Sequence, residues 1–173
     1  MDGVRVLQVA GFKNSGKTAI IRELLGEARV LGLKTAAVKH HGHGGPPALP
    51  DPGTDSMKFF ADGAAVSAVA GGGIAQVHLD MDDGDPEPLI RLAAAVRPDL
   101  VFIEGFKKAN YEKIAVARTT EDWQELKGLP NIVLSVVPEE ADADGDRAVW
   151  GDNEAIRGWF GRWWEGGTGY VRL

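Results

Sequence analysis

The chain has 173 residues, 44% of them hydrophobic and 25% charged, with a formal net charge of -6 and no cysteine. That size and balance fit one folded domain over residues 1–173 and exclude an intrinsically disordered chain. The negative charge gives no support to general nucleic-acid binding, and the lack of thiols excludes disulfides, thiolate metal sites and cysteine nucleophiles. No apolar run approaches the roughly 18 residues needed to span a bilayer. The N-terminal MDGVRVLQVAG lacks the layout of a cleavable signal, so no membrane association and a cytoplasmic location are expected.

Residues 4–10 are rich in Val and Leu and closed by Gly11, which predicts a first strand. Residues 18–33 follow with Ile20, Ile21, Leu24, Leu25, Ala28 and Leu31 near a helical period, and Gly32 is a suitable stop. Residues 34–40 read as a second strand. Its consecutive Ala36, Ala37 and Val38 suit a parallel strand covered on both faces. The Gly- and Pro-dense residues 41–55 predict a long loop, a feature usually tied to function. A short helix is expected over 55–64. Strands over 66–70 and Ile74–Leu79, separated by three glycines, predict a hairpin. Pro86 and Pro98 bracket a helix over 87–97, and an apolar strand over 100–103 leads into Glu104-Gly105. Further strands are expected over 113–117 and Ile132–Val137. The last helix, over 153–164, carries Ile156, Trp159, Phe160, Trp163 and Trp164 at helical spacing, a stripe suited to packing on a sheet or a partner. Strand–helix alternation predicts an α/β layered fold with a mainly parallel sheet flanked by helices, plus a small β-hairpin extension.

Between the first strand and the first helix stands Gly11-Phe12-Lys13-Asn14-Ser15-Gly16-Lys17-Thr18, a full G-x-x-x-x-G-K-[ST] match in the required context. Glycines at the fixed places let the backbone curl until successive N–H groups converge on phosphate oxygens. The positive end of the following helix adds to that attraction. Gly11, Asn14, Ser15, Gly16, Lys17 and Thr18 are therefore candidate phosphate contacts. Lys17 supplies a point charge between the β- and γ-phosphates, and the Thr18 hydroxyl is a candidate Mg²⁺ ligand. The motif specifies a nucleoside triphosphate and is silent on its base.

Glu104 ends an apolar strand where a carboxylate at the carboxyl edge of a parallel sheet can serve the metal side of such a site, or orient an attacking water. It is equally placed to be a solvated strand-end glutamate. Asp99, at the other end of that strand, is the weaker candidate. Lys39, His40, His41 and His43 cluster after the second strand. They suit phosphate binding, transition-metal ligation, grip on a second substrate, or simply a polar loop. Without Cys or a neighbouring acid, they do not make a structural zinc set. Asp55 stands where a helix needs an N-cap, and also where a nucleotide-ordered loop would present a metal contact.

Taken together, residues 11–18, Lys39-His40-x-x-His43, Gly53-Thr54-Asp55-Ser56 and Glu104-Gly105-Phe106-Lys107 resemble the molybdopterin-guanine dinucleotide biosynthesis adapter family, protein B. The likeness runs in order from residue 4 to about residue 138. It implies a fold similar to P-loop GTPases, binding of GTP with Mg²⁺, weak hydrolysis and a homodimer. It also implies a role beside the nucleotidyltransferase that attaches GMP to molybdopterin. On that resemblance the phosphates fall to Asn14, Ser15, Gly16, Lys17 and Thr18, and the metal side to Thr18, Asp55 and Glu104. His40 and His43 would face the site or the molybdopterin cofactor being delivered, and Ser56 would share the work of Asp55.

Three features depart from or delimit the pattern. Thr54 stands where the family often has lysine. No Asn/Thr-Lys-x-Asp element is present to read guanine, so guanine preference follows from the resemblance alone. Phe12 occupies the place where deviant Walker A ATPases carry a second lysine. Two other classes share the cradle: a small-molecule kinase, for which Arg118 is the nearest basic candidate, and a binding module whose loop is merely ordered by nucleotide.

Overall fold

The computed structural model describes residues 3–42 and 45–172. The sequence reading expected one domain over 1–173; the packing falls into two compact units, residues 1–42 with 85–173, and residues 43–84.

The larger unit is built on a seven-stranded sheet. Its strands are β1 (Gly3–Gly11), β2 (Thr35–Lys39), β5 (Leu100–Glu104), β6 (Lys113–Val116), β7 (Ile132–Val137), β8 (Arg147–Val149) and β9 (Tyr170–Arg172). They lie in the order β2-β5-β1-β6-β7-β8, all parallel, with β9 antiparallel beside the start of β1. The helices of this unit are α1 (Lys17–Val30), α3 (Glu87–Ala94), α4 (Thr120–Leu126) and α5 (Asn153–Glu165).

Because successive residues of a strand point to opposite faces, the apolar runs supply two cores at once. Leu7, Val9, Leu100, Phe102, Ile114, Val116, Leu134 and Val136 meet α1 and α5 on one face. Val4, Val6, Val101 and Ile103 meet Ile90 of α3 on the other, where Ala115, Ala117 and Val137 meet Trp123 and Leu126 of α4. The aromatic stripe of α5 is core: Ile156, Trp159, Phe160 and Trp163 are all buried.

The smaller unit holds α2 (Asp55–Ala61) and the antiparallel pair β3 (Val66–Gly71) and β4 (Ile74–Leu79). Gly72 and Gly73 both sit at positive φ, 58° and 81°, the conformation a two-residue hairpin turn with right-handed strand twist demands. The Ser67 hydroxyl donates to the Ser56 carbonyl at 2.7 Å and ties the hairpin to α2.

Several expectations change. The second strand is an edge strand, with Val38 its only buried residue, so it is not covered on both faces. The first helix begins at Lys17 and ends at Val30, and the helix expected to run to Arg97 stops at Ala94. The helix cap near residue 55 falls to Thr54, with Asp55 the first helical residue. α4, β8 and β9 were not anticipated. They are short, of 7, 3 and 3 residues, and too brief to show a period.

Candidate functional site

The site residues of the larger unit converge because parallel pairing sets their register. In the ladder Glu104 lies opposite Lys39 of β2 on one side and Val9 of β1 on the other. The loop from Gly11 to Thr18 therefore springs from the carboxyl edge of the sheet beside Glu104. β1 is also where the strand order turns, since successive connections run to opposite sides of it. Open α/β sheets bind ligands at such switch points.

The loop is closely packed at its base. A Cβ at Gly11 would stand 2.4 Å from the Val116 carbonyl oxygen and 2.7 Å from Ser15 Oγ, so only glycine fits there. Asn14 adopts φ 60° and Gly16 φ 97°, and α1 starts immediately after in the left-handed turn. The start of α1 has no side-chain cap and no acid in its first turn. Its backbone donors and positive dipole end thus remain available to an anion. Ser15 is 1% exposed, and its hydroxyl has no hydrogen-bond partner among the described residues.

Three charged side chains and one hydroxyl meet at the helix start. Thr18 Oγ1 donates to Glu104 Oε2 at 2.8 Å. Lys39 Nζ lies 2.6 Å from Glu104 Oε1 and 3.3 Å from Thr18 Oγ1. Glu104 itself is buried, whereas Lys39 keeps more than half its side chain in water. Lys17 Nζ donates to the Phe12 carbonyl at 2.5 Å, within its own loop. Burial lowers the Lys17 pKa, Glu104 pushes it back up, and Lys107 and Lys39 lower it again. A phosphate chain would relieve that cation–cation repulsion and supply the counter-charge that burial withholds.

Buried polar contacts hold the segment after Glu104. Gln8, fully buried on β1, donates through Nε2 to the carbonyls of Gly105 and Phe106, both at 2.6 Å. His40 accompanies this segment: its N–H donates to the Glu104 carbonyl at 2.9 Å, and its ring lies 4.8 Å from Phe106. Lys107 Nζ sits 3.8 Å from the Phe12 ring centroid, linking the segment to the phosphate loop. Lys113, completely buried on β6, donates to the carbonyl of Ala109 at 2.7 Å.

Residues 11–18, Lys39, His40 and Glu104 thus form one cluster. Asp55 and Ser56 belong to the smaller unit, where Asp55 opens α2 and pairs with Lys58 at 3.2 Å. His43 lies outside the described residues. Asp99 accepts from the Lys34 N–H at 2.7 Å, a structural contact at the opposite end of β5.

Sequence reading missed Gln8, Lys113 and Trp150, whose indole N–H donates to the Ser15 carbonyl at 2.9 Å. A glutamine and a lysine inside strands that are otherwise apolar were visible signals for the first two. Nothing local marked Trp150.

A family model described as molybdopterin guanine dinucleotide synthesis protein B (MobB) matches residues 6–138. A probable molybdopterin-guanine dinucleotide biosynthesis adapter protein of Bacillus subtilis (strain 168) is 40% identical over 129 residues, covering 75% of this chain and 74% of that protein. Among solved structures, a MobB homologue from Bacillus stearothermophilus has a TM-score of 0.73 at 28% identity, over 93% of this chain and 98% of its own. Bacillus subtilis MobB has a TM-score of 0.72 at 35% identity, over 88% and 93% respectively.

Proposed function

Because the chain belongs to the molybdopterin-guanine dinucleotide synthesis protein B family, we propose that it is a GTP-binding adapter in molybdenum-cofactor biosynthesis. In this reading it works in the cytoplasm as a homodimer, beside the nucleotidyltransferase that attaches GMP to molybdopterin. Among the described residues no helix is long and apolar enough to cross a membrane.

The observation that carries the nucleotide part is the uncapped start of α1 set beside the Thr18–Glu104 oxygen pair. Those two oxygens are 2.8 Å apart. Adjacent ligands of an octahedral Mg²⁺ at ~2.1 Å stand about 2.9 Å from one another, so the pair fits the ion. Mg²⁺ characteristically takes few protein oxygens and leaves the rest of its sphere to phosphate and water. When bound, it would neutralise charge on the β- and γ-phosphate oxygens.

The protein groups divide the remaining work. Lys17 and the loop amides hold phosphate charge, and Lys39 stands beside Thr18 and Glu104 as a further cation. Glu104 is the group placed to orient water. Positioning and charge of this kind, without an arginine supplied in trans, suit slow hydrolysis. In this reading His40, which lies against Phe106, faces the site or the molybdopterin cofactor being delivered.

Calorimetric titration of GTP and ATP, each with Mg²⁺, tests the reading, with Lys17→Ala as control. GTP is expected to bind more tightly than ATP, and Lys17→Ala to lose about a hundred-fold or more in affinity, the scale of a desolvated charge-assisted contact. Equal or stronger ATP binding would remove guanine from the proposal. Absence of binding by either nucleotide would remove the nucleotide altogether.

A further inference from the structure

We propose that Trp150 and Arg118 form the purine platform of this nucleotide site, with Arg118 distinguishing guanine from adenine. The proposal rests on the reading of residues 11–18 as a triphosphate cradle, and it names the groups that take the base.

Trp150 directly follows β8, and its backbone N–H donates to the Val137 carbonyl at 2.7 Å. Arg118 follows β6 by two residues, and its backbone N–H donates to Asp122 Oδ2 at 3.2 Å. Pairing of β6 with β7 and of β7 with β8 therefore brings both residues to the same carboxyl edge as the phosphate loop, on the side away from Glu104.

Trp150 is anchored to that loop. Its Nε1–H donates to the Ser15 carbonyl at 2.9 Å, and a Cβ at Gly16 would lie 3.4 Å from the same nitrogen. The indole thus meets the loop by its edge, while the residue remains 39% exposed. Trp123, Trp159 and Trp163, by contrast, are 3–8% exposed. Tryptophan is the side chain with the most apolar surface to hide. An exposed one held by its edge beside a phosphate cradle offers a ring face on which a base can stack.

Arg118 lies over a face of that indole, its guanidinium carbon 4.5 Å from the Trp150 ring centroid, so a base that stacks there moves the guanidinium to its own edge. Stacking on an aromatic face accepts any base, because every base has a π face. Discrimination needs hydrogen bonds. Guanine offers two acceptors, N7 and O6, whereas adenine offers the N7 acceptor beside the N6 donor. Arginine carries donors only, in a planar fork that matches the guanine pair. Adenine would set its amino group against that fork. Guanine preference then needs no Asn/Thr-Lys-x-Asp element, which this chain lacks. Trp150 lies beyond residue 138, outside the region the family model matches, and Arg118 lies within it, so only the stacking half of the platform belongs to this chain's C-terminal segment.

The test compares GTP, ATP and inorganic tripolyphosphate, each with Mg²⁺, on the full chain by calorimetry. Trp150→Phe and Trp150→Ala both lose the hydrogen bond to Ser15, but only Trp150→Ala loses the stacking face. Trp150→Ala is expected to cut the advantage of GTP over tripolyphosphate by about ten-fold or more, and Trp150→Phe to keep most of it. Arg118→Met, which keeps the side-chain length and removes the donors, is expected to lower the GTP:ATP ratio about five-fold or more.

Parallel loss of all three ligands in both Trp150 variants would reduce Trp150 to a brace for the loop and overturn the platform. An unchanged GTP:ATP ratio in Arg118→Met would overturn the discrimination. Wild-type protein that binds tripolyphosphate as tightly as GTP leaves the cradle standing and the platform fallen. Wild-type protein that binds none of the three ends both.

Discussion

At the carboxyl end of β1, Gly11 runs into α1, whose start carries no capping side chain and no acid. At its amino end, Arg5 is 1% exposed and closes the last turn of α5. The Arg5 guanidinium donates to the carbonyls of Trp163 (2.9 Å), Trp164 (2.6 Å) and Thr168 (2.5 Å). It also lies over the Trp163 and Trp164 rings at 4.1 and 4.3 Å. α5 is capped at its other end too, where Asp152 Oδ1 accepts from the Ala155 N–H at 2.9 Å. Every helix leaves unpaired backbone groups at its ends and partial charge with them. In α5 the protein satisfies these groups itself, so the helix serves stability. In α1 it surrounds them with Lys17, Lys39 and a carboxylate instead, an arrangement that favours a ligand over rigidity.

The contrast predicts opposite outcomes for removing a cation at each end. Arg5→Ala leaves three carbonyls short of a charged donor and opens space between two rings, and should cost about 3–5 kcal/mol of folding free energy. Urea denaturation would register this as a lower midpoint with an unchanged slope. A loss below about 1 kcal/mol would mean that water caps α5 adequately, and the structural half of the contrast would fail.

Lys17→Ala should change ligand-free stability by less than about 1 kcal/mol in either direction. Its ammonium is opposed by burial and by Lys107 and Lys39, and supported by Glu104 and the Phe12 carbonyl. A melting temperature more than about 4 °C below wild type, the scale of a loss above ~1 kcal/mol in a chain of this length, would show that Lys17 holds the loop together structurally.

The smallest effect concerns Lys113, a structural cation close to the functional end. Burial lowers its pKa below the ordinary 10.5. Between that lowered value and 10.5 the unfolded chain binds more protons than the folded one, so this group makes stability rise with pH across the interval. Lys113→Met lacks the term. Its stability relative to wild type should therefore fall as pH approaches 10.5, in paired denaturation curves at pH 8 and pH 10.5. A constant difference would mean that the carbonyls of Lys107 and Ala109 already compensate the charge.

Much of this was legible in the residues. The strand–loop–helix around Gly11 and Lys17 could be read because motif, apolar run and helical period are adjacent in the chain. The hairpin across Gly72-Gly73 could be read for the same reason. Lys39, His40 and Glu104 could be named only as neighbours of strand ends, since nothing in their spacing says which strand lies beside which. β8 and α4 were hidden by brevity, and with β8 went Trp150. The edge position of β2 was hidden because three consecutive apolar residues look alike at the edge and in the middle of a sheet. Asp55 was legible as a helix start, yet the structure moves the cap to Thr54 and pairs Asp55 with Lys58.

The sequence by itself determined the strand–loop–helix around Gly11 and Lys17, the two-faced apolar strands and the family to which the chain belongs. Each depends on residue types at short, fixed spacings, which survive without coordinates. Only the tertiary structure decided that Thr18 and Glu104 stand 2.8 Å apart, that Arg5 caps a helix more than 150 residues away, and that Trp150 grips the loop at Ser15. Those contacts depend on strand order and register. A parallel sheet sets them through long crossovers that no local pattern encodes.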